Sequence, residues 1–99
     1  MTISKKLDGE NLMMALEGRL DTTTAPQLEN ECKVCLYEVK ELILDLEKLE
    51  YISSAGLRVL LAAQKQMQKQ GGGMVVKNVN ETIMEVFEVT GFVEILTVE

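Results

Sequence analysis

Four groups of residues have the types and spacing to do chemistry. They are Cys32-Lys33-Val34-Cys35, the triplet Gly71-Gly72-Gly73, the aspartates Asp21 and Asp45, and the adjacent serines Ser53-Ser54 ahead of Ala55-Gly56. The cysteine pair has the spacing of a thiol oxidoreductase, in which the first cysteine sits at a helix N-terminus and the dipole lowers its pKa. Here both cysteines fall inside a helical pattern with Leu28 and Leu36, at i, i+4, i+7 and i+8, and read as two buried small hydrophobes. The chain has no histidine. Without histidine or a second cysteine pair, no four-ligand zinc site can form within one chain, and every Ser-His or Cys-His nucleophile is excluded. Phosphate-binding glycine loops precede a helix, whereas this triplet follows one and leads into a strand, so it reads as a helix stop. No catalytic residue, metal or cofactor is expected. The chain reads as a binding module, not an enzyme.

The aspartates and serines are harder to dismiss. Asp21 and Asp45 follow strand-like runs, where α/β proteins often place functional groups. Asp21 also precedes a threonine-rich helix start, where a carboxylate can simply satisfy free N–H groups. Asp45 is expected at the C-terminal end of its strand, near the next helix. Ser53-Ser54 opens that helix, where a serine can serve as an ordinary cap, and Ser54 reads as an exposed, anion-tolerant one. Yet two serines, a small residue and a glycine leave the tip lightly covered. Gly56 in the first turn costs about 1 kcal/mol of helix propensity, which suggests close backbone approach. A helix N-terminus accepts an anion, so phosphorylation there would add about −1.5 to −2 charge without breaking the fold. Those are the requirements of a surface switch.

The elements that must position these groups can be read from periodicity. Residues 2–7 alternate, with Ile3, Lys5 and Leu7 on one side, and Asp8-Gly9-Glu10-Asn11 turns into a more buried strand, Leu12–Leu16. The pair is expected to be antiparallel at a sheet edge. Thr24 and Gln27 have capping-box spacing at the start of the first helix, and Pro26 is tolerated in its first turn. Leu42–Leu46 is nearly all apolar, as for a strand covered on both faces. A turn over Glu47–Tyr51 leads to the second helix, polar beyond Gln64 and stopped by Gly71–Gly73. Met74–Val76 forms another strand, Asn80 caps a short helix ending at Gly91, and Phe92–Leu96 closes the sheet. The order β-β-α-β-α-β-α-β implies right-handed crossovers and a mixed, mostly parallel sheet.

Size and charge bound the rest. The 99 residues, 46% hydrophobic and 26% charged, suit one domain over 1–99. A formal charge of −6, with 16 acidic against 10 basic residues, disfavours nucleic acid and anionic membranes as partners. With neither a membrane-length apolar run nor a signal core, a cytoplasmic location is expected.

Tyr51-Ile52-Ser53-Ser54-Ala55-Gly56-Leu57-Arg58-Val59-Leu60-Leu61 closely resembles the signature of the STAS family of anti-sigma factor antagonists. Gly18-Arg19-Leu20-Asp21 with Thr24-Ala25-Pro26, and Leu42-Ile43-Leu44-Asp45-Leu46, resemble its other landmarks, so the likeness spans the chain. The resemblance implies a STAS-type fold and a partner-switching role. The unphosphorylated protein would bind an anti-sigma factor serine kinase and free the sigma factor. Phosphorylation would end the complex, and a PP2C-type phosphatase would restore it. The implied phosphoacceptor is Ser54, two residues before the glycine-leucine pair, with Ser53 the second choice. Implied partner-binding residues are Asp21, Thr24, Ser53, Ser54, Ala55, Gly56 and Arg58. Many family members carry aspartate where this chain has Ser53. The alternative within the family is a docking subunit of a signalling or transport assembly that is never phosphorylated.

Overall fold

Alternation of Leu12, Met14 and Leu16, all buried, with exposed Met13 and half-buried Ala15 makes a strand with one wet face. The computed structural model, which describes residues 1–99, carries this pattern across a five-stranded sheet. Strand β1 (Thr2–Asp8) pairs antiparallel with β2 (Asn11–Leu20) at the edge. Helix α1 (Ala25–Cys35) leads to β3 (Glu41–Ile52), helix α2 (Ser54–Lys69) to β4 (Gly73–Lys77), and helices α3 (Glu81–Thr90) and α4 (Phe92–Ile95) to β5 (Thr97–Val98). The strand order is β1-β2-β3-β4-β5, with every pair after the first parallel. The mixed, mostly parallel α/β sheet expected from the sequence is the one observed.

One core cluster joins sheet and helices, including Met14, Leu44, Val76, Leu28, Leu60 and Phe87. The helices therefore cover one face only. On the other face Met13, Ile43 and Val75 lie side by side in register, exposed or half-buried. The expectation that Leu42–Leu46 is covered on both faces is corrected: Leu42, Leu44 and Leu46 are buried, but Ile43 and Asp45 stay partly open.

The predicted turn over Glu47–Tyr51 is strand. β3 gains a residue on β2 twice, once between the Ala15 and Glu17 pairings and again between those of Gly18 and Arg19. Two bulges change the spacing of buried residues from two to three, through Leu46, Leu49 and Ile52. Asp45 serves the first bulge. Its Oδ1 accepts hydrogen bonds from the Glu47 N–H (3.0 Å) and the Asn78 amide (3.2 Å). It thus lies mid-strand, away from the helix start expected for it.

Capping explains the later boundaries. Asn80 Oδ1 accepts from Ile83 N–H at 2.9 Å, and Gly91 ends α3 with φ of 80°. Phe92–Ile95 is a helical turn, not the closing strand, and the sheet closes at Thr97 and Val98 against Val75 and Val76.

Candidate functional site

In a parallel sheet the loops leaving the carboxyl ends of adjacent strands meet. β2 and β3 end in register at Leu20 and Ile52, and Ser53 N–H donates to the Leu20 carbonyl at 2.9 Å. The Asp21 loop and the start of α2 are thereby fixed side by side, although 32 residues separate Asp21 from Ser53 in sequence.

The two serines have different jobs. Ser53 is the N-cap of α2, and its hydroxyl accepts from Gly56 N–H at 3.4 Å. Ser54 is the first helical residue, and it is exposed. The sequence reading of Ser54 as an exposed helix cap is thus corrected: the cap is Ser53, and Ser54 follows it. Gly56 is buried, and a Cβ there would meet Leu20 Cγ at 2.7 Å and Ile52 Cγ1 at 2.9 Å. The close approach anticipated at Gly56 is the domain's own core under the helix. Ser53→Ala should cost about 0.5–1 kcal/mol, the low end for a lost cap because the bond is long, read from chemical denaturation.

Asp21 holds its loop in shape. Its Oδ1 accepts from Thr23 N–H (3.0 Å), Thr23 hydroxyl (2.7 Å) and Thr24 N–H (3.1 Å). Thr24 does not form the expected capping box: its hydroxyl donates to the Arg19 carbonyl (2.7 Å) and accepts from Asp21 N–H (2.8 Å). Gln27 reaches instead to the Met1 carbonyl at 3.1 Å. The Thr23 hydroxyl first, then the backbone N–H groups of Thr24 and Thr23, hold the Asp21 carboxyl below its usual 3.8, against a smaller opposing effect of desolvation. A lowered folded-state pKa gives stability that is whole above the ordinary carboxylate value and is lost as pH falls through the folded value. Stability curves of wild type and Asp21→Asn should therefore differ near neutrality and converge in acid; a gap that stays constant with pH would contradict this.

Around these loops runs a shallow groove of about 230 Å³, lined by Thr22, Ala25 and Pro26 on one side and Ala55, Arg58 and Val59 on the other. Arg58 is exposed and lies one turn beyond Ser54 on the same helix face. Of the residues singled out from the sequence, Asp21, Thr24, Ser53, Ser54, Ala55 and Arg58 gather on this end of the molecule, with Gly56 beneath.

A model of the STAS domain matches residues 2–99. The chain belongs to the STAS domain family. BtrV of Bordetella bronchiseptica, provisionally named an anti-sigma factor antagonist, is 39% identical over 94 residues, covering 94% of this chain and 80% of BtrV. The anti-sigma-B factor antagonist of Bacillus subtilis is 24% identical over 98 residues, covering 99% of this chain and 90% of its own length. The anti-sigma factor antagonist SpoIIAA in its unphosphorylated form shares the fold with a TM-score of 0.78 at 18% identity, over 99% of this chain and 87% of that one. The Bacillus cell fate determinant SpoIIAA in its phosphorylated form gives a TM-score of 0.78 at 19% identity, over 99% of this chain and 91% of that one. This STAS domain is a regulatory binding protein, not an enzyme.

The cysteines of the STAS domain are free thiols. Burial pushes the Cys32 thiol up to about 11, the opposite of what a redox nucleophile requires. Cys35 is only half-buried, a correction to the reading of two buried cysteines, and its Sγ lies 3.4 Å from Glu31 and 3.5 Å from Lys5. No helix of the STAS domain is long and apolar enough to cross a membrane. Sequence reasoning missed three residues at the site: Thr23, which donates twice to Asp21, and Arg19 and Tyr51, whose guanidinium and ring stack at 4.2 Å. Arg19 and Tyr51 are partners in the β2–β3 register, so only the bulged pairing could have brought them together.

Proposed function

We propose that this STAS domain is a cytoplasmic anti-sigma factor antagonist switched by phosphorylation of Ser54. In its unphosphorylated form it binds an anti-sigma factor that is also a serine kinase, and so releases the sigma factor. Phosphate on Ser54 ends the complex, and a PP2C-type phosphatase restores the binding form. The observation that carries this reading is the division of labour at α2: Ser53 is engaged as the cap, while Ser54 is exposed beside the Asp21 loop. The names of BtrV and the Bacillus subtilis relative support the antagonist role. SpoIIAA, solved both with and without phosphate, supports a switch in a protein of this fold.

The partner surface consists of Ser54, Ala55 and Arg58 from α2 together with Asp21 and Thr24, with Ser53 and Gly56 holding the helix tip in place. A phosphate at the first position of α2 is electrostatically welcome to the helix itself, through the dipole and Arg58. The complex pays for it instead, because a doubly charged group now stands where the partner must approach beside ionised Asp21. Titrating the protein into a preformed complex of a candidate anti-sigma kinase and its sigma factor tests the proposal. Release of sigma with equimolar protein is expected. Retention of sigma at saturating protein would refute the antagonist role for that pair.

A further inference from the structure

The aspartate of the partner surface has two oxygens in unlike settings. Asp21 Oδ1 takes both Thr23 donors and the Thr24 N–H. Oδ2 accepts no hydrogen bond from the chain; it is only loosely ion-paired with Arg19, whose Nε stands at 3.8 Å, beyond hydrogen-bond range. The Arg19 guanidinium is instead laid over the Tyr51 ring, 4.2 Å from its centroid, in the geometry of a cation–π contact. Arg19 and Tyr51 sit opposite each other in the β2–β3 ladder, two residues before Asp21 and Ser53. The Arg19 side chain is 61% exposed and that of Asp21 29%, so both have room to move together, and the ring is the contact the guanidinium would lose on closing onto the carboxylate.

We infer that Tyr51 is a positioning residue: its ring parks Arg19, and so keeps Asp21 Oδ2 open to a cation, lysine or arginine, supplied by the protein partner. This rests on the proposed role of Asp21 in partner binding and adds to it a residue that acts through another. Without the ring, Arg19 becomes an internal competitor. It closes to hydrogen-bonding distance of Oδ2, and a partner cation must displace it.

The clamp can be tested without any partner, on the full chain, by following the Asp21 carboxyl carbon through an NMR pH titration. Tyr51→Leu should lower the Asp21 pKa below that of wild type as Arg19 closes on Oδ2. Adding Arg19→Gln should abolish that difference. An Asp21 pKa that does not move in Tyr51→Leu, that rises, or that stays lowered in the double variant overturns the clamp. Both side chains are exposed enough for the fold to survive, which the dispersion of the amide spectrum checks. In binding to a candidate anti-sigma kinase, Tyr51→Leu should weaken affinity about two- to fivefold, with recovery in the Arg19→Gln background. A kinase that binds wild type but is indifferent to Tyr51→Leu, or whose loss Arg19→Gln fails to rescue, overturns the inference. A kinase that does not bind wild type counts against the proposed function with that kinase instead, and the titration still decides the clamp.

Discussion

Gly72→Ala is expected to destabilise the domain by about 3 kcal/mol, more than any other single-methyl change in its glycine triplet. Gly72 N–H donates to the Met67 carbonyl at the end of α2, and Gly73 N–H donates to the Lys40 carbonyl ahead of β3. A Cβ on residue 72 would press onto that same Lys40 carbonyl oxygen, with the carbonyl carbon at 2.9 Å. The obstacle is backbone, so no rotamer change can relieve it. Relief requires β4 to move off β3 at Gly73, where the Glu41–Gly73 pairing begins. Gly71 is a useful contrast. Its φ of +77° disfavours a side chain, but nothing stands within 4 Å of its Cβ position, so Gly71→Ala should cost only about 1 kcal/mol. Denaturant midpoints of the two variants separate the cases, and equal losses would mean that the Lys40 contact is not limiting.

Ser54→Asp is expected to leave stability within about 0.5 kcal/mol of wild type while weakening the kinase complex by at least about tenfold. Ser54 is exposed and is not the cap, so an aspartate there meets no packing and lies favourably at the N-terminus of α2. The same charge faces the partner. Together with the ionised Asp21 carboxylate it turns a surface shaped for a cation and an uncharged hydroxyl into one with two adjacent anions, and like charges brought together at an interface are costly. Ser54→Ala should bind about as well as wild type. Calorimetric titration of both variants checks this, and equal affinity for alanine and aspartate would favour a docking module that is never switched.

The parts of the fold legible in the sequence were those where local chemistry and tertiary structure agree. Asp8–Asn11 turns a hairpin, Asn80 and Gly91 bracket α3, and the glycine triplet stops α2. The second half of β3 was hidden because its bulges shift the burial period to three, and no propensity encodes a bulge that depends on the neighbouring strand. Phe92–Leu96 has strand-like composition, yet only Leu96 is buried, and the sheet takes the next two residues instead. At the site, the serines, Asp21 and Thr24 could be singled out from local spacing and resemblance. The cap itself was misplaced by one residue, on Ser54 in place of Ser53, since both serines suit the role until the start of α2 is placed. The Arg19–Tyr51 stack and the Lys5–Glu31 ion pair are contacts between distant segments, legible only once the strands are in register.

The proposed phosphoacceptor is Ser54, and not its neighbour. Incubating wild type, Ser53→Ala and Ser54→Ala with a candidate anti-sigma kinase and ATP, then mapping phosphate by tandem mass spectrometry, distinguishes the two serines. Phosphate on Ser54 in wild type and in Ser53→Ala, and none in Ser54→Ala, is the predicted result. Phosphate on Ser53, or undiminished phosphorylation of Ser54→Ala, would contradict it.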